Sequence, residues 1–151
     1  MGRKYTGIAA TVATGTNKTT GSVQSASTIR PKVYEILVGS EATPADQAAQ
    51  MTVLRFTAVG TPGGTFTPIA LDPGDPASLA VFNQGVFSVE PTYTASSNLL
   101  LFTWNQRATF RWIVNPGYEI VCPATASNGI GVRSLLSTST QAADTSISWE
   151  E

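Results

Sequence analysis

The chain contains no histidine and only one cysteine, Cys122. An intrachain disulfide is therefore impossible, and a Cys/His zinc site lacks its ligands. Serine and cysteine protease triads lose their general base. A Ser–Lys pair stays formally open, but Lys4, Lys18 and Lys32 all fall within the first 32 residues, a poor setting in which to desolvate an amine. Charge is scarce as well. Charged residues make up 13 % of the chain, half the ~25 % of ordinary soluble proteins. No apolar run approaches the ~20 residues of a membrane helix. The glycine clusters TPGG (61–64) and NGIG (128–131) lack the strand–loop–helix setting of a phosphate-binding loop. The acids fall mostly in loops or near residue 151, with no spacing that pairs two of them across a cleft. Asp72 and Asp75 lie in DPGDPAS (72–78), where Pro73 and Pro76 and the lack of further carboxylates favour Asx turns over a calcium loop. The expectation is a protein that is not an enzyme and carries no cofactor or metal.

What charge there is, is unevenly spread. Residues 1–32 hold Arg3, Lys4, Lys18, Arg30 and Lys32 and no acid, a charge of +5; residues 33–151 hold four basic and ten acidic residues, a charge of −6. Residues 1–28 are rich in Thr, Ser, Ala and Gly and show no sustained period, which predicts an extended arm ordered by a partner. Its basic side chains would dock on an acidic surface such as a sister subunit. Ile8 to Ala13 could add as a strand to another sheet. Thr11, Thr14 and Thr16 interrupt the early apolar residues too soon for a signal peptide. MGRKYT fits the myristoylation pattern loosely, and Asn17-Lys18-Thr19 is a formal glycosylation sequon; neither pattern is informative alone.

The predicted body, residues 29–151, reads as short strands separated by Gly, Pro and Asn turns. Strands are expected over 29–39, 51–60, 65–71, 86–90, 98–104, 108–114, 118–122, 129–136 and 145–150. In TSISWE, Ile147 and Trp149 alternate with Ser146, Ser148 and Glu150, the period of a half-buried strand. In MTVLRFTAVG, Leu54, Phe56 and Ala58 share one face and Met51 and Val53 the other, which suits a strand lying between a core and a subunit contact. One short helix is expected over 43–50, with Thr43 as N-cap, Pro44 in its first turn and Asp46 as capping-box acid. Asn115-Pro116-Gly117 predicts a tight hairpin. The pattern as a whole argues an all-β antiparallel sandwich or barrel, jelly-roll-like, with an immunoglobulin-type sandwich as the second choice.

Arginines and aromatics interleave in NQRATFRWIVNPGYEI (105–120). In a body of charge −6 the few arginines cannot neutralise a run of phosphates, so specific nucleic-acid binding is not expected. Arg107, Arg111 and Arg133 better fit bidentate pairs with Glu35, Glu90 or Glu119, and Arg111 and Glu119 stand symmetrically about the NPG turn. Period two places Phe110, Trp112 and Val114 on the core face and turns Arg111 and Ile113 outward. Trp104, Trp112 and Trp149 could form an aromatic platform for sugars, although strand tryptophans more often belong to the core. Cys122, in Ile120-Val121-Cys122, reads as a small buried hydrophobe.

The segments IRPKVYEILVGSEATPADQAAQ (29–50) and NQRATFRWIVNPGYEIVCPATASNGIGVR (105–133), with the WEE of 149–151, resemble small virion proteins of tailed bacteriophages. The resemblance implies a β-sandwich decoration (cement) protein, made in the host cytoplasm, that sits on the outside of the head between major capsid subunits, often as a homotrimer. Its partners would be the major capsid protein and copies of itself. In that setting Arg3, Lys4 and Tyr5 at the tip of the arm would act as a clamp, with Lys18, Arg107 and Arg111 as further interface residues. A tail, neck or fibre component and a glycan- or receptor-binding module are the alternatives.

Overall fold

A computed structural model describes residues 2–41, 43–136 and 141–151. Every regular element in them is a strand: β1 (Lys4–Ala13), β2 (Lys18–Gln24), β3 (Lys32–Gly39), β4 (Ala48–Ala58), β5 (Gly64–Phe66), β6 (Ile69–Ala70), β7 (Val81–Gln84), β8 (Thr92–Asn105), β9 (Phe110–Ile113), β10 (Ile120–Val121), β11 (Gly129–Leu136) and β12 (Ala142–Glu150). They form two antiparallel six-stranded sheets. The first runs β10-β3-β12-β1-β6, with β9 also on β3; the second runs β5-β7-β2-β11-β4-β8. The two sheets make a sandwich-like arrangement that does not close into a barrel.

Period-two alternation builds the core. Tyr5, Ala9 and Val12 from β1, Val33, Ile36 and Val38 from β3, and Ala143, Ile147 and Trp149 from β12 meet Val23, Met51, Val53, Phe82, Ile130 and Val132 from the second sheet. Each large side chain so buried contributes roughly 1.5–3 kcal/mol. Between the sheets the Thr145 hydroxyl donates to Thr20 Oγ1 at 2.9 Å, and the Thr20 hydroxyl donates to the Val132 carbonyl. Two buried hydroxyls are thus satisfied in series between the sheets.

Five expectations are corrected. Residues 4–24 do not project as an arm. β1 lies between β12 and β6, and β2 between β11 and β7. The small residues that obscured its period leave room for neighbours: an added Cβ at Gly7 would stand 2.3 Å from the Phe82 ring.

No helix forms over 43–50. Ala48, Ala49 and Gln50 pair with Asn105, Trp104 and Thr103 of β8, and Asp46 accepts from Asn105 Nδ2 at 2.6 Å instead of capping. The gain from joining a sheet outweighs local capping propensity here. Residue 42 and residues 137–140 lie outside the described set.

Asn115-Pro116-Gly117 is a turn but not a hairpin. Tyr118 N–H donates to the Asn115 carbonyl at 3.1 Å, yet β9 pairs with Glu35–Val38 and β10 with Lys32–Val33, both antiparallel to the same β3. Residues 114–119 are therefore an excursion from one interrupted edge strand.

Finally, 86–90 is not a strand but a loop with one bridge, Thr61 to Val89. The outer face of β4 is not a subunit contact either. Phe56 meets the Tyr93 ring edge-on at 6.2 Å, and Gly129 and Gly131 give these rings their space. A Cβ at Gly131 would lie 2.3 Å from the Tyr93 hydroxyl, and one at Gly129 2.7 Å from the Phe56 ring.

Candidate interaction surface

The sequence-predicted interface residues do not assemble into one patch. Tyr5 is 1 % exposed, tilted against Trp149, and its hydroxyl donates to the Pro76 carbonyl at 3.0 Å. Burial pushes its pKa above the usual tyrosine range. A buried tyrosine cannot be the tip of a clamp. Arg3 pairs with Asp75 at 3.8 Å, and Lys4 lies over the Tyr34 ring at 5.7 Å. Lys18 pairs with Glu90 at 3.5 Å, at the opposite end of the ~33 Å that a ten-residue strand such as β1 covers. Arg107 Nε reaches the Pro44 carbonyl at 3.4 Å. Arg111 Nε donates to Glu35 Oε1 at 2.6 Å, not to Glu119, whose carboxylate accepts from Gly117 N–H and is held below the usual carboxylate range by that bond.

The charge asymmetry is partly met within the chain. Of the four ion pairs among the described residues, Arg3–Asp75, Lys18–Glu90 and Lys32–Glu150 each join a basic residue of 1–32 to an acid of 33–151. All have half-exposed cations, so each contributes ~0–1 kcal/mol. Three of the five N-terminal cations thus find their acids in the chain's own body, while Lys4 lies over the Tyr34 ring.

One open surface is the outer face of the first sheet. Strand register lines up two rows across it. One runs Ile69–Thr6–Ser148–Glu35–Ile113 and the next Ile8–Ser146–Leu37–Arg111. Residues directly opposite one another point to the same side. Ile69 and Ile113 are 53 % and 59 % exposed, Ile8 and Leu37 40 % and 36 %. The central hydroxyls bond each other: Thr6 Oγ1 lies 3.4 Å from Ser146 Oγ, and Ser148 donates to Thr6 Oγ1. Beside them a shallow trough of ≈ 430 Å³ is lined by Ile8, Leu37, Thr109, Asp144 and Ser146. Asp144 is engaged, accepting from Thr11 N–H at 2.8 Å. Arg111–Glu35 is the one ion pair within the two rows. Such a face, with four aliphatic side chains around bonded hydroxyls and its charges paired as Arg111–Glu35 and, at its border, Lys32–Glu150, can bury area against another protein.

Sequence reasoning missed Ile8 and Ile69. Ile8 was assigned to an arm, and Ile69 sits in a strand of two residues. The alternation Tyr5, Gly7, Ala9 against Thr6, Ile8, Ala10 was the available signal, weakened because Gly and Ala carry little hydrophobic contrast.

The remaining candidates are structural in their geometry. Thr19 donates to Glu90 Oε2 at 2.7 Å and its hydroxyl lies 2.8 Å from that of Tyr93, while Arg133 covers the Tyr93 ring at 5.1 Å. Burial pushes the Tyr93 phenol far up. The tryptophans offer no platform: Trp104 and Trp149 are buried and Trp112 packs half-buried against the core. Cys122 is buried, and desolvation raises its thiol to about 11. Among the described residues no three His, Cys, Asp or Glu side chains cluster as metal ligands would. No protein family, no curated protein and no solved structure matches this chain.

Proposed function

We propose that this chain is a structural virion protein of the decoration (cement) type. It binds the outside of a phage head at junctions between major capsid subunits and stabilises the shell. The observation that carries the reading is the outer face of the first sheet, where Ile8, Leu37, Ile69 and Ile113 stand exposed around bonded hydroxyls. That face, rather than an N-terminal clamp, is the capsid-binding surface.

Strand order supports the finer fold reading, a jelly roll. Setting aside β5–β7, the remaining strands in chain order, with β9 and β10 counted together, fall as first, eighth, third and sixth in one sheet and second, seventh, fourth and fifth in the other. That is the double Greek-key order shared by many capsid and lectin domains. Residues 59–91 then form an insertion that adds β6 to one sheet and β5 and β7 to the other, beside β1 and β2. A tail, neck or fibre role uses the same face against a different subunit.

The test is binding to empty heads of the particle to which the protein belongs. The wild type is expected to pellet with the shells. The double variant Leu37→Lys, Ile113→Lys, which puts two charges on the face, is expected to stay in the supernatant with an unchanged circular dichroism spectrum. Wild-type protein that never pellets, or a double variant that binds equally well, contradicts the proposal.

A further inference from the structure

The two sheets have four edges, and three of them are protected. β6 is two residues long, between Pro68 and Asp72-Pro73. β5 is three residues long, between Pro62 and Pro68. The β9–β10 edge carries Arg111 and is broken by the excursion at 114–119. Short strands, prolines, charges and interruptions are the usual means of preventing edge-to-edge pairing.

β8 has few of these protections. It is 14 residues long, and Thr92–Asn105 includes neither a charged residue nor a proline. Its first half is irregular, with three register shifts against β4 between Ala58 and Val53. From Leu100 to Asn105 it pairs with β4 without a break, from Val53 back to Ala48. Among the described residues no strand lies on its other side. Leu101 on this segment is 56 % exposed and Thr103 is exposed too, and Leu99, at the register shift just before it, is 38 % exposed. Inward, Phe102 stacks on Phe110 with ring centroids 3.8 Å apart and planes 5° off parallel. That stack fixes the edge against the first sheet.

We infer that the Leu99–Asn105 edge of β8 pairs antiparallel with the same edge of a second copy. The occupant follows from the sequence of the strand. An uncharged edge meets no repulsion from its own image, and a two-fold axis at Phe102 sets Leu101 of one copy opposite Thr103 of the other and Leu99 opposite Asn105. Each copy satisfies the backbone N–H and C=O groups of its partner, and the two second sheets become one continuous sheet. The insertion beside β1 and β2 covers the opposite side of the sandwich, which leaves this side for the partner. This contact is separate from the first-sheet face, so a pair of molecules can still meet a shell.

Sedimentation velocity across a concentration series reads the contact directly. The wild type is expected at twice its 15.8 kDa mass. Leu101→Lys and, separately, Thr103→Lys are exposed substitutions that set like charges across the axis. Each is expected to weaken dimerisation about tenfold or more with the fold retained by circular dichroism. The face variant Leu37→Lys, Ile113→Lys is expected to remain dimeric, so that failure of shell binding and failure of the edge contact are told apart. A wild type that is monomeric throughout, or trimeric, overturns the inference, as do lysine variants that dimerise like the wild type. A monomer would leave the edge to a strand from a different protein.

Discussion

At the scale of single residues, burial decides most of the chemistry. Cys122 is fully buried against the core and its thiol is raised to about 11, first by desolvation and against the lowering influence of Arg55. A neutral thiol is a poor nucleophile. Cys122 is therefore expected to resist a thiol reagent at pH 8 in the native protein and to react fully once denaturant is added; rapid reaction without unfolding would contradict this placement. Its burial was legible from Ile120-Val121-Cys122. The outward turn of Arg111 and Ile113 was legible too, because period two survives wherever large and polar residues alternate. The partner of Arg111 was not. Symmetry about the NPG turn points to Glu119, but β9 lies along β3, and register brings Glu35 diagonally within 2.6 Å.

At the scale of elements, strands rich in β-branched and aromatic residues were readable and strands of small residues were not. β11 (Gly129–Leu136) has the expected limits, whereas β1 and β2, made largely of Thr, Ala, Gly and Ser, read as an extended arm ordered by a partner. Tertiary pairing supplies what their own sequence does not, just as it draws Ala48–Gln50 out of a capped helix and into β4. Because β1 and β2 are interior strands, deleting residues 1–28 is expected to abolish the cooperative thermal transition. A truncated chain that melts cooperatively near the wild-type temperature would restore the arm. The NPG turn was correctly placed and wrongly connected, since a turn residue specifies a local reversal but not the strand to which the chain returns.

At the scale of the whole molecule, two sheets enclose one core. Three of the five N-terminal cations, Arg3, Lys18 and Lys32, are paired with the chain's own acids, and two surfaces are assigned contacts: the outer face of the first sheet and the open edge of the second. The first is the proposed contact with a shell and the second the inferred contact with a copy. Many copies on a symmetric shell would add modest individual affinities into a large total stabilisation. The most direct measurement is an electron cryomicroscopy reconstruction of the particle to which the protein belongs. The expected result is a two-sheet density on the outer surface of the head at junctions between capsid subunits, with the Ile8, Leu37 and Ile113 face toward the shell. A head surface bare of that density, with the protein absent or confined to the tail, would contradict the decoration role.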